Sequence, residues 1–302
     1  MANIYPTVYF NGSLVPENEA HVSVASSAVL YGLSVYTVFH VAHSDGAYFA
    51  FRVKDHYQRL VDSCRIIGID TFAEEWSRER FTAAMSDLLA ANRPTENVFV
   101  RVSFHITEKL PGTRSRGLPA VMSAFIYSAQ PIIPEEGARL KTSVWRRTPD
   151  FSIPSRAKVN GAYVNSVLAR QDAIDSGYDD CVFLDGHGHV TELSAANIFI
   201  VRGGKLLTPG TSTDILEGIN RRTIIELAQE LEIPIEERAI DLTELYIADE
   251  AFVCGTSAFI SRVLEVDARK LPSPETHPIT GKLTAAYKDA LLSPDSRFVT
   301  KL

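Results

Sequence analysis

The chain contains little cysteine: three residues among 302, Cys64, Cys181 and Cys254, each within an apolar segment. A disulfide scaffold and a cysteine-ligated metal site are therefore excluded, because both need more cysteines at closer spacing. Histidine does not replace them, since His187 and His189 are too few for a closed metal site. We expect no metal, three buried thiols, and a protein of the reducing cytoplasm.

The chain also lacks long hydrophobic runs and clusters of like charge. No apolar run approaches the roughly 18–20 residues that span a bilayer, and the N-terminus lacks the pattern of a secretory signal. The 30 Lys and Arg residues are scattered among 37 Asp and Glu, and the net charge is −7. Nucleic acid and membranes are therefore not expected partners. Glycine-rich dinucleotide and Walker loops and the nucleophile elbow are absent too.

Local patterns predict a mixture of strands and helices in an ordinary globular composition, 45% of which is hydrophobic. Asn11-Gly12 favours a tight hairpin turn, because both positions tolerate a positive φ. Apolar residues at helical spacing predict a helix over residues 54–68 that ends at Gly68. Further helices are expected over residues 78–92, 162–176 and 218–231. Strands are expected over residues 7–10, 14–15, 34–41, 48–51, 97–106, 120–127, 140–145, 180–184, 189–192, 197–201, 205–208, 235–239 and 251–254.

The amino-acid composition changes at residues 128–137, and this segment divides the chain. This segment contains two prolines and ends at Gly137, which is typical of an extended linker. We expect a small N-terminal α/β domain over residues 1–127 and a larger, cofactor-binding C-terminal domain over residues 138–302. The fold class is α/β with α+β character, in two lobes.

Lys158 and Glu192 are the residues most typical of a chemical function. A lysine amine can form a Schiff base with an aldehyde cofactor, and a fixed carboxylate can keep the pyridine nitrogen of that cofactor protonated. A lone lysine is ordinarily a solvated surface charge, but Lys158 lies between Pro154 and an apolar helix, beside small residues. Glu192 lies among apolar residues, where a carboxylate without a partner would be costly. Together the two predict a site for pyridoxal phosphate.

A phosphate group needs hydrogen-bond donors, and two segments offer them. Gly218 precedes a predicted amphipathic helix whose first backbone N–H groups form an anion site, although many such glycines are simple caps. Gly255-Thr256-Ser257 follows a predicted strand and is a second candidate loop. Arg52, at the end of another predicted strand, offers a charge-assisted contact or is an ordinary surface residue.

These segments, in this order, resemble the fold-type IV pyridoxal phosphate enzymes. That group includes branched-chain aminotransferases, D-amino-acid aminotransferases, (R)-selective amine transaminases and aminodeoxychorismate lyase. The resemblance covers nearly the whole chain, and its motifs are Tyr31-Gly32, Phe51-Arg52, Lys158 with Tyr163, Glu192 with Asn197, Gly218-Ile219-Asn220-Arg221 and Gly255-Thr256. It implies a two-domain fold-type IV architecture with the cofactor between the domains, and a homodimer or higher homo-oligomer.

The resemblance implies a role for each motif residue. Lys158 is the Schiff-base lysine and moves the proton during catalysis, while Tyr163 and Glu192 hydrogen-bond the phenolic oxygen and the ring nitrogen of the cofactor. The residues implied to hold the phosphate or to pack on the ring are Arg52, Leu216, Gly218, Ile219, Asn220 and Thr256. Family members usually have threonine in place of Asn220, so a backbone contact survives there and a hydroxyl contact is replaced.

The family is less uniform in its substrate wall, which is the set of residues that lines the substrate-binding site. The resemblance maps this wall to Tyr31, Tyr36, Val38, His40, Phe99, Arg101, Thr113, Ser257 and Ala258. Arg101 and Gly112 are retained, which favours a branched-chain-type enzyme that also binds a dicarboxylate such as 2-oxoglutarate. Val38 and Thr37 depart from the branched-chain pattern and resemble D-amino-acid and (R)-amine transaminases.

We therefore predict a transaminase that moves an amino group between a branched-chain-type amino acid and a 2-oxo acid such as 2-oxoglutarate. The alternative is an (R)-selective amine or D-amino-acid transaminase, and aminodeoxychorismate lyase is a further one. An apolar wall with Arg101 argues against the lyase. The intact set of Lys158, Tyr163 and Glu192 argues against an inactive binding protein. The expected partners are small amino donors and 2-oxo acids.

Overall fold

The computed structural model describes residues 3–134, 136–272 and 278–302. The chain forms two compact units. The first contains Met1–Gln130, Ala157–Ala162 and Ala290–Leu302, and the second contains Pro131–Arg156 and Tyr163–Asp289.

The division differs from the contiguous one expected on either side of residues 128–137. The segment that contains Lys158 belongs to the first unit because Val159 forms a β-bridge with Val35. The C-terminal residues join the same unit because the strand Val299–Lys301 pairs with the strand Ala47–Phe51. Pairings between residues distant in sequence, which local composition does not reveal, therefore decide unit membership.

The first unit is built on a seven-stranded antiparallel sheet. Its strands are β1 (Thr7–Phe10), β2 (Ser13–Pro16), β3 (Ser34–Ser44), β4 (Ala47–Phe51), β5 (Val98–Ile106), β6 (Ala120–Ser128) and β16 (Val299–Lys301), in the order β16-β4-β3-β5-β6-β1-β2. Its helices are α1 (Ser27–Leu30), α2 (Val53–Ile67), α3 (Phe72–Glu75) and α4 (Arg78–Asn92), with a 3-10 turn at Glu17–Glu19.

Local residues explain where these elements start and end. Asn11 and Gly12 have φ of 48° and 90°, which forms the predicted hairpin turn between β1 and β2. Gly68, at φ 77°, terminates α2 in the left-handed conformation. The Ser77 side chain accepts a hydrogen bond from the Arg80 N–H and so caps α4. The predicted hairpin and the two predicted helices are confirmed.

One face of strand β3 contributes to the core of the first unit, and its other face lies on the opposite side of the sheet. Side chains alternate between the faces of a strand, and Phe39 and Val41 pack in the core with Leu60 of α2. Val38 and His40 therefore lie on the other face, away from the helices. That face carries most of the predicted substrate wall.

The second unit contains nine strands and four helices in its described part. The strands are β7 (Ala138–Arg146), β8 (Asp180–Leu184), β9 (Val190–Leu193), β10 (Asn197–Arg202), β11 (Lys205–Thr208), β12 (Ile235–Glu237), β13 (Glu250–Gly255), β14 (Phe259–Val266) and β15 (Arg269–Lys270). The helices are α5 (Tyr163–Asp175), α6 (Ile219–Glu230), α7 (Leu242–Tyr246) and α8 (Pro278–Leu292), the last of which ends in residues of the first unit.

The larger sheet closes on itself. Its order is β12-β11-β10-β13-β14-β7-β8-β9, and β9 pairs again with β10 through Glu192 and Asn197. Six strands, from β10 through β13, β14, β7 and β8 to β9, thus form a ring. The ring closes at two residues that the sequence motifs single out.

The elements after residue 257 were not predicted from the sequence. Strand β14 follows the three-residue turn 256–258, and its first residue, Phe259, adopts φ 50°, an unusual conformation for a large aromatic residue. The burial of the strand does not alternate regularly. Helix α8 contains Gly281, which weakens a helical pattern. The cysteine prediction is confirmed in structure, since all three thiols are at most 1% exposed and unbonded to one another. In the described part of the chain, no helix is long and apolar enough to cross a membrane.

Candidate active site

The backbone of Lys158 is fixed by hydrogen bonds to α2 and to β3. The Lys158 N–H donates to Ser63 Oγ at 3.1 Å, and the Lys158 carbonyl accepts from the Tyr36 N–H at 3.0 Å. Lys158 Nζ lies 4.9 Å from the centroid of the Tyr36 ring. The neighbouring chain approaches so closely that a Cβ on Gly32 would lie 2.7 Å from Gly161 Cα, which explains the glycine of the Tyr31-Gly32 motif.

Strand register brings five of the predicted substrate-wall residues together. Val38 is paired with Arg101 and His40 with Phe99, and directly paired residues share a face of the sheet. Tyr36 lies on that face as well, two residues before Val38. We call these five residues, Tyr36, Val38, His40, Phe99 and Arg101, the wall face.

Two other predicted wall residues of this unit lie outside the sheet. Tyr31 follows α1 and is 43% exposed, while Thr113 lies in an exposed loop. Burial lowers the pKa of His40 to about 4, so this member of the wall face is neutral near pH 7. The wall face is therefore mainly apolar, with Arg101 as its cation.

Arg101 is held at two points. Its Cζ lies 3.8 Å from the centroid of the Tyr36 ring, which is a cation–π contact. Its Nη2 donates to Asn160 Oδ1 at 2.8 Å. The sequence motifs do not mark Asn160, although it stands within the lysine segment.

Arg52 follows β4 and begins α2 from a left-handed backbone conformation, with φ 46°. Its N–H donates to the Phe298 carbonyl at 2.7 Å, and its guanidinium stacks 4.5 Å above the Phe298 ring. Its Nη1 also pairs with Asp55 at 3.1 Å. A non-glycine residue in this conformation is unusual and is held here by several contacts, as is frequent at functional sites.

Glu192 is the best-connected residue of the second unit's candidate site. Arg147 Nη2 contacts its Oε1 at 2.8 Å, and the Leu216 N–H donates to the same oxygen at 3.1 Å. Asn197 Nδ2 donates to Oε2 at 3.0 Å and also to the Leu216 carbonyl at 3.1 Å. All three donors favour the ionised carboxylate.

Arg147 is a second residue that sequence reasoning missed. Glu192 was expected to lie in an apolar setting and to find its counter-charge in the cofactor, but Arg147 already supplies a cation within the protein. The only local signal is an arginine directly after strand β7, which is equally typical of a surface position. The pairing depends on how β7 and β9 are placed in the ring, which no local pattern reveals.

The N-terminus of α6 has the properties of an anion site. Gly218 provides no side-chain cap, the first turn carries no acidic residue, and the helix has 12 residues. Asn220 Nδ2 donates to Thr256 Oγ1 at 3.4 Å, a long hydrogen bond that links the helix start to the turn after β13. Asn220 Oδ1 is buried and has no hydrogen-bond partner among the described residues.

The remaining predicted residues occupy turns and element ends of the second unit. Thr256, Ser257 and Ala258 form the turn between β13 and β14, and Tyr163 is the first residue of α5. The predicted site residues are thus divided between the units. Lys158, Arg52 and the wall face belong to the first, and Tyr163, Glu192, Leu216, the α6 start and the 256–258 turn belong to the second.

The sequence as a whole is similar to proteins of one family. The family model for amino-transferase class IV matches residues 34–266. A probable branched-chain-amino-acid aminotransferase of Aquifex aeolicus is 35% identical over 295 residues, which cover 96% of this chain and 94% of that protein.

Two solved structures are similar over nearly the full length. A branched-chain aminotransferase from Thermoproteus uzoniensis, crystallised with norvaline, has a TM-score of 0.92 at 34% identity and covers 99% of both chains. The branched-chain amino acid aminotransferase from Thermobaculum terrenum, in its PLP-bound holo form, has a TM-score of 0.89 at 29% identity. The match covers 99% of this chain and 98% of that one.

Proposed function

Because the chain belongs to the class IV aminotransferase family, we propose that it is a pyridoxal phosphate-dependent transaminase of branched-chain amino acids, with a 2-oxo acid such as 2-oxoglutarate as amino acceptor. The similarity to branched-chain aminotransferases over nearly the whole chain supports this reaction. In the chain itself, the observation that carries the proposal is the wall face, in which Arg101 is paired with Val38 and lies over the Tyr36 ring.

The second unit fits pyridoxal phosphate. Glu192, which is paired with Arg147, suits a protonated ring nitrogen, and the α6 N-terminus suits a phosphate. Gly218 admits no side chain, because a Cβ would lie 2.0 Å from Asn197 Oδ1. The unpaired, buried Oδ1 of Asn220 marks a polar position that the described residues leave unsatisfied.

When bound, pyridoxal phosphate supplies an aldehyde that condenses with amines and a ring that withdraws electrons from the reacting carbon. Lys158 would hold the cofactor through its amine, and its Nζ would be the group that carries the proton to and from the substrate Cα. Tyr163 and Glu192 orient the ring through its phenolic oxygen and its nitrogen. The residues proposed to hold the phosphate and the ring face are Arg52, Leu216, Gly218, Ile219, Asn220 and Thr256.

The wall face fits the two kinds of substrate that a branched-chain transaminase exchanges. Val38 and Phe99 offer apolar surface for a branched aliphatic side chain. Arg101 offers a guanidinium for the second carboxylate of glutamate or 2-oxoglutarate. The residues proposed to complete the substrate site are Tyr31, Thr113, Ser257 and Ala258.

An amino-donor panel tests the substrate class. The donors are L-leucine, L-glutamate, D-alanine and (R)-1-phenylethylamine, each with a suitable 2-oxo acid. We expect rapid turnover of L-leucine and L-glutamate and little turnover of the other two. A preference for D-alanine or the amine would overturn the branched-chain assignment and leave the transaminase assignment intact.

Replacing the proposed Schiff-base lysine tests the mechanism. Lys158→Ala removes the amine that holds the cofactor and moves the proton, so both turnover and the absorbance of the lysine-bound cofactor should be lost. Lys205→Ala, which alters an exposed lysine paired with Glu236, is the matched control and should keep both signals. Full turnover by Lys158→Ala would show that another group performs the proton transfer.

An (R)-selective amine or D-amino-acid transaminase is the second candidate, and Val38 is the observation that favours it. Val38 reduces the space for a substrate side chain at the wall face, and this departure resembles those enzymes. Thr37, the other departure, lies on the opposite face of β3, where its Oγ1 hydrogen-bonds His56 Nδ1 of α2 at 2.7 Å. Thr37, one of the two residues that depart from the branched-chain pattern, therefore does not lie on the wall face. This weakens the alternative.

We also propose that the protein works as a homodimer or a higher homo-oligomer. Helix α5 exposes Val164, Val167 and Leu168 by 65%, 64% and 42%, and this spacing places them on one helix face. Exposed apolar faces of this kind are typical of subunit interfaces. Light scattering coupled to size-exclusion chromatography should give at least twice the monomer mass of 33.3 kDa, and a monomeric peak would contradict the proposal.

The location we propose is the cytoplasm. The support is chemical: Cys64, Cys181 and Cys254 are buried, unpaired thiols. Such thiols suit a reducing compartment. Cell fractionation should recover the protein with cytosolic markers, and its recovery in a secreted or envelope fraction would refute the proposal.

A further inference from the structure

Asn160, two residues after Lys158, is anchored so that its amide oxygen has a fixed position. Its backbone N–H donates to the Ser34 carbonyl at 2.9 Å, and its Nδ2 donates to Ser34 Oγ at 2.5 Å. Its Oδ1 accepts the hydrogen bond from Arg101 Nη2 at 2.8 Å. Since Ser34 is only 3% exposed and begins β3, Asn160 is a rigid acceptor.

Arg101 retains hydrogen-bonding capacity in this arrangement. A guanidinium has five N–H donors, and within the described residues the structure records one hydrogen bond from Arg101, the one to Asn160. The guanidinium and the Lys158 amine lie 3.8 Å and 4.9 Å from the same Tyr36 ring centroid. The guanidinium and the amine are therefore no farther apart than the sum of these distances, and a substrate reacting beside Lys158 has its side chain within reach of Arg101.

We propose that Asn160 is a specificity-determining positioning residue, which holds Arg101 over Tyr36 and thereby equips the enzyme for dicarboxylate substrates. The inference rests on the proposed function, since it concerns the same substrate site. Asn160 acts through Arg101 and is not itself a ligand of the substrate carboxylate.

The choice of a neutral amide has a physical reason. A long arginine side chain loses rotamer freedom when it binds an anion, and it loses less when it is already held in place. An asparagine oxygen holds one N–H group and leaves the guanidinium charge uncompensated. An aspartate at the same position would form an ion pair with Arg101 and compete with the substrate carboxylate.

Two substitutions separate the position of Arg101 from its charge. Asn160→Ala should lower kcat/KM for 2-oxoglutarate about tenfold, the loss expected for one charge-assisted hydrogen bond. It should change kcat/KM for the monocarboxylate 4-methyl-2-oxopentanoate by less than about twofold. Asn160→Asp keeps the shape of the side chain but adds a negative charge. It should lower the ratio of kcat/KM for 2-oxoglutarate to kcat/KM for 4-methyl-2-oxopentanoate further, on the order of a hundredfold.

Binding of unreactive ligands gives a readout that does not depend on turnover. Calorimetry on the holoenzyme should show weaker binding of glutarate to both variants, by factors similar to those in kcat/KM. Binding of 4-methylvalerate should be unchanged. Ser123→Ala is the matched control, because Ser123 hydrogen-bonds His105 on the same strand as Arg101 and the variant should leave both ligands unaffected.

The outcomes distinguish this inference from the proposed function. If either Asn160 variant changes the dicarboxylate-to-monocarboxylate ratio by less than about threefold, or weakens both ligands equally, Asn160 merely supports the lysine segment and the inference is wrong. If the wild-type protein transaminates neither acceptor, the proposed function fails, and the ratio of glutarate to 4-methylvalerate binding still decides the role of Asn160.

Discussion

At the residue scale, Glu192 depends on Arg147, an arginine that directly follows another strand of the ring. The side chains of Arg147 and Glu192 are 13% and 7% exposed, so their contact is a largely buried ion pair. Arg147 Nε also donates to the Asp214 carbonyl at 3.3 Å, which ties the pair to the loop that carries Leu216. Removing one member of such a pair leaves a charge buried without its counter-charge, which is strongly destabilising.

Replacing Arg147 should therefore destabilise the apoprotein. We expect Arg147→Met to lower the free energy of unfolding by about 3 kcal/mol, and the double variant with Glu192→Gln to recover part of that loss. Arg147→Met should also weaken the binding of pyridoxal phosphate, because Glu192 loses its fixed orientation. Urea unfolding and fluorescence titration of the apoprotein measure the two effects.

Arg156→Met is the control for the Arg147 experiment. Arg156 pairs with Glu217 at 2.8 Å from a position that is 42% exposed, so its loss should cost less than about 1 kcal/mol. Equal effects of the two substitutions would mean that burial of the Arg147–Glu192 pair has no special importance.

At the element scale, the start of α6 combines an anion site with tight packing. Gly218 has φ −65° and ψ 135°, which any residue adopts, so its backbone does not require glycine. The requirement is steric, because a Cβ would lie 2.0 Å from Asn197 Oδ1. Asn197 cannot move without losing its hydrogen bonds to Glu192 and to the Leu216 carbonyl.

Gly218→Ala should consequently weaken both stability and cofactor binding. We expect a loss of about 1–3 kcal/mol in the free energy of unfolding, the range for overpacking, and a higher Kd for pyridoxal phosphate. Gly281→Ala in α8 is the matched control, since nothing lies within 4 Å of its Cβ position and alanine favours a helix. The prediction fails if the two variants have the same unfolding midpoint.

At the scale of the whole molecule, two histidines of the first sheet couple stability to pH. Burial lowers the pKa of His40 from 6.5 to about 4. Burial and the nearby Arg101 cation lower the pKa of His105 to about 4 as well. In the unfolded chain both pKa values return to about 6.5, so below that pH the unfolded state binds protons that the native state does not. Their stabilising effect is complete above pH 6.5 and is lost as the pH falls toward 4.

The free energy of unfolding should therefore fall in this window by about 1.4 kcal/mol per pH unit for each histidine, in addition to other groups. His105→Gln removes one of the two contributions and can keep the hydrogen bond to Ser123. Between pH 6.5 and pH 5, the wild type should lose about 1.5 kcal/mol more than this variant. His187→Gln, on an exposed turn, serves as control and should follow the wild-type pH curve.

Local signals predicted the fold well where the structure depends on neighbouring residues. Asn11-Gly12 and Gly68 adopt the positive φ values that their sequence patterns require, and the helix predicted over residues 78–92 has those bounds. Strand β14 was not predicted, because its burial does not alternate regularly and its first residue, Phe259, takes a left-handed conformation that a large aromatic residue rarely adopts. Phe259 is paired with Gly255 across the hairpin.

The sequence by itself determined the chemistry that the protein offers: an amine at Lys158, a carboxylate at Glu192, and a glycine before an amphipathic helix. It did so because residue types and short-range spacing are local properties. Only the tertiary structure decided that Arg147 is the counter-charge of Glu192 and that Asn160 holds Arg101. These contacts join residues far apart in sequence, and their geometry follows from strand register and ring closure, which a one-dimensional pattern does not contain.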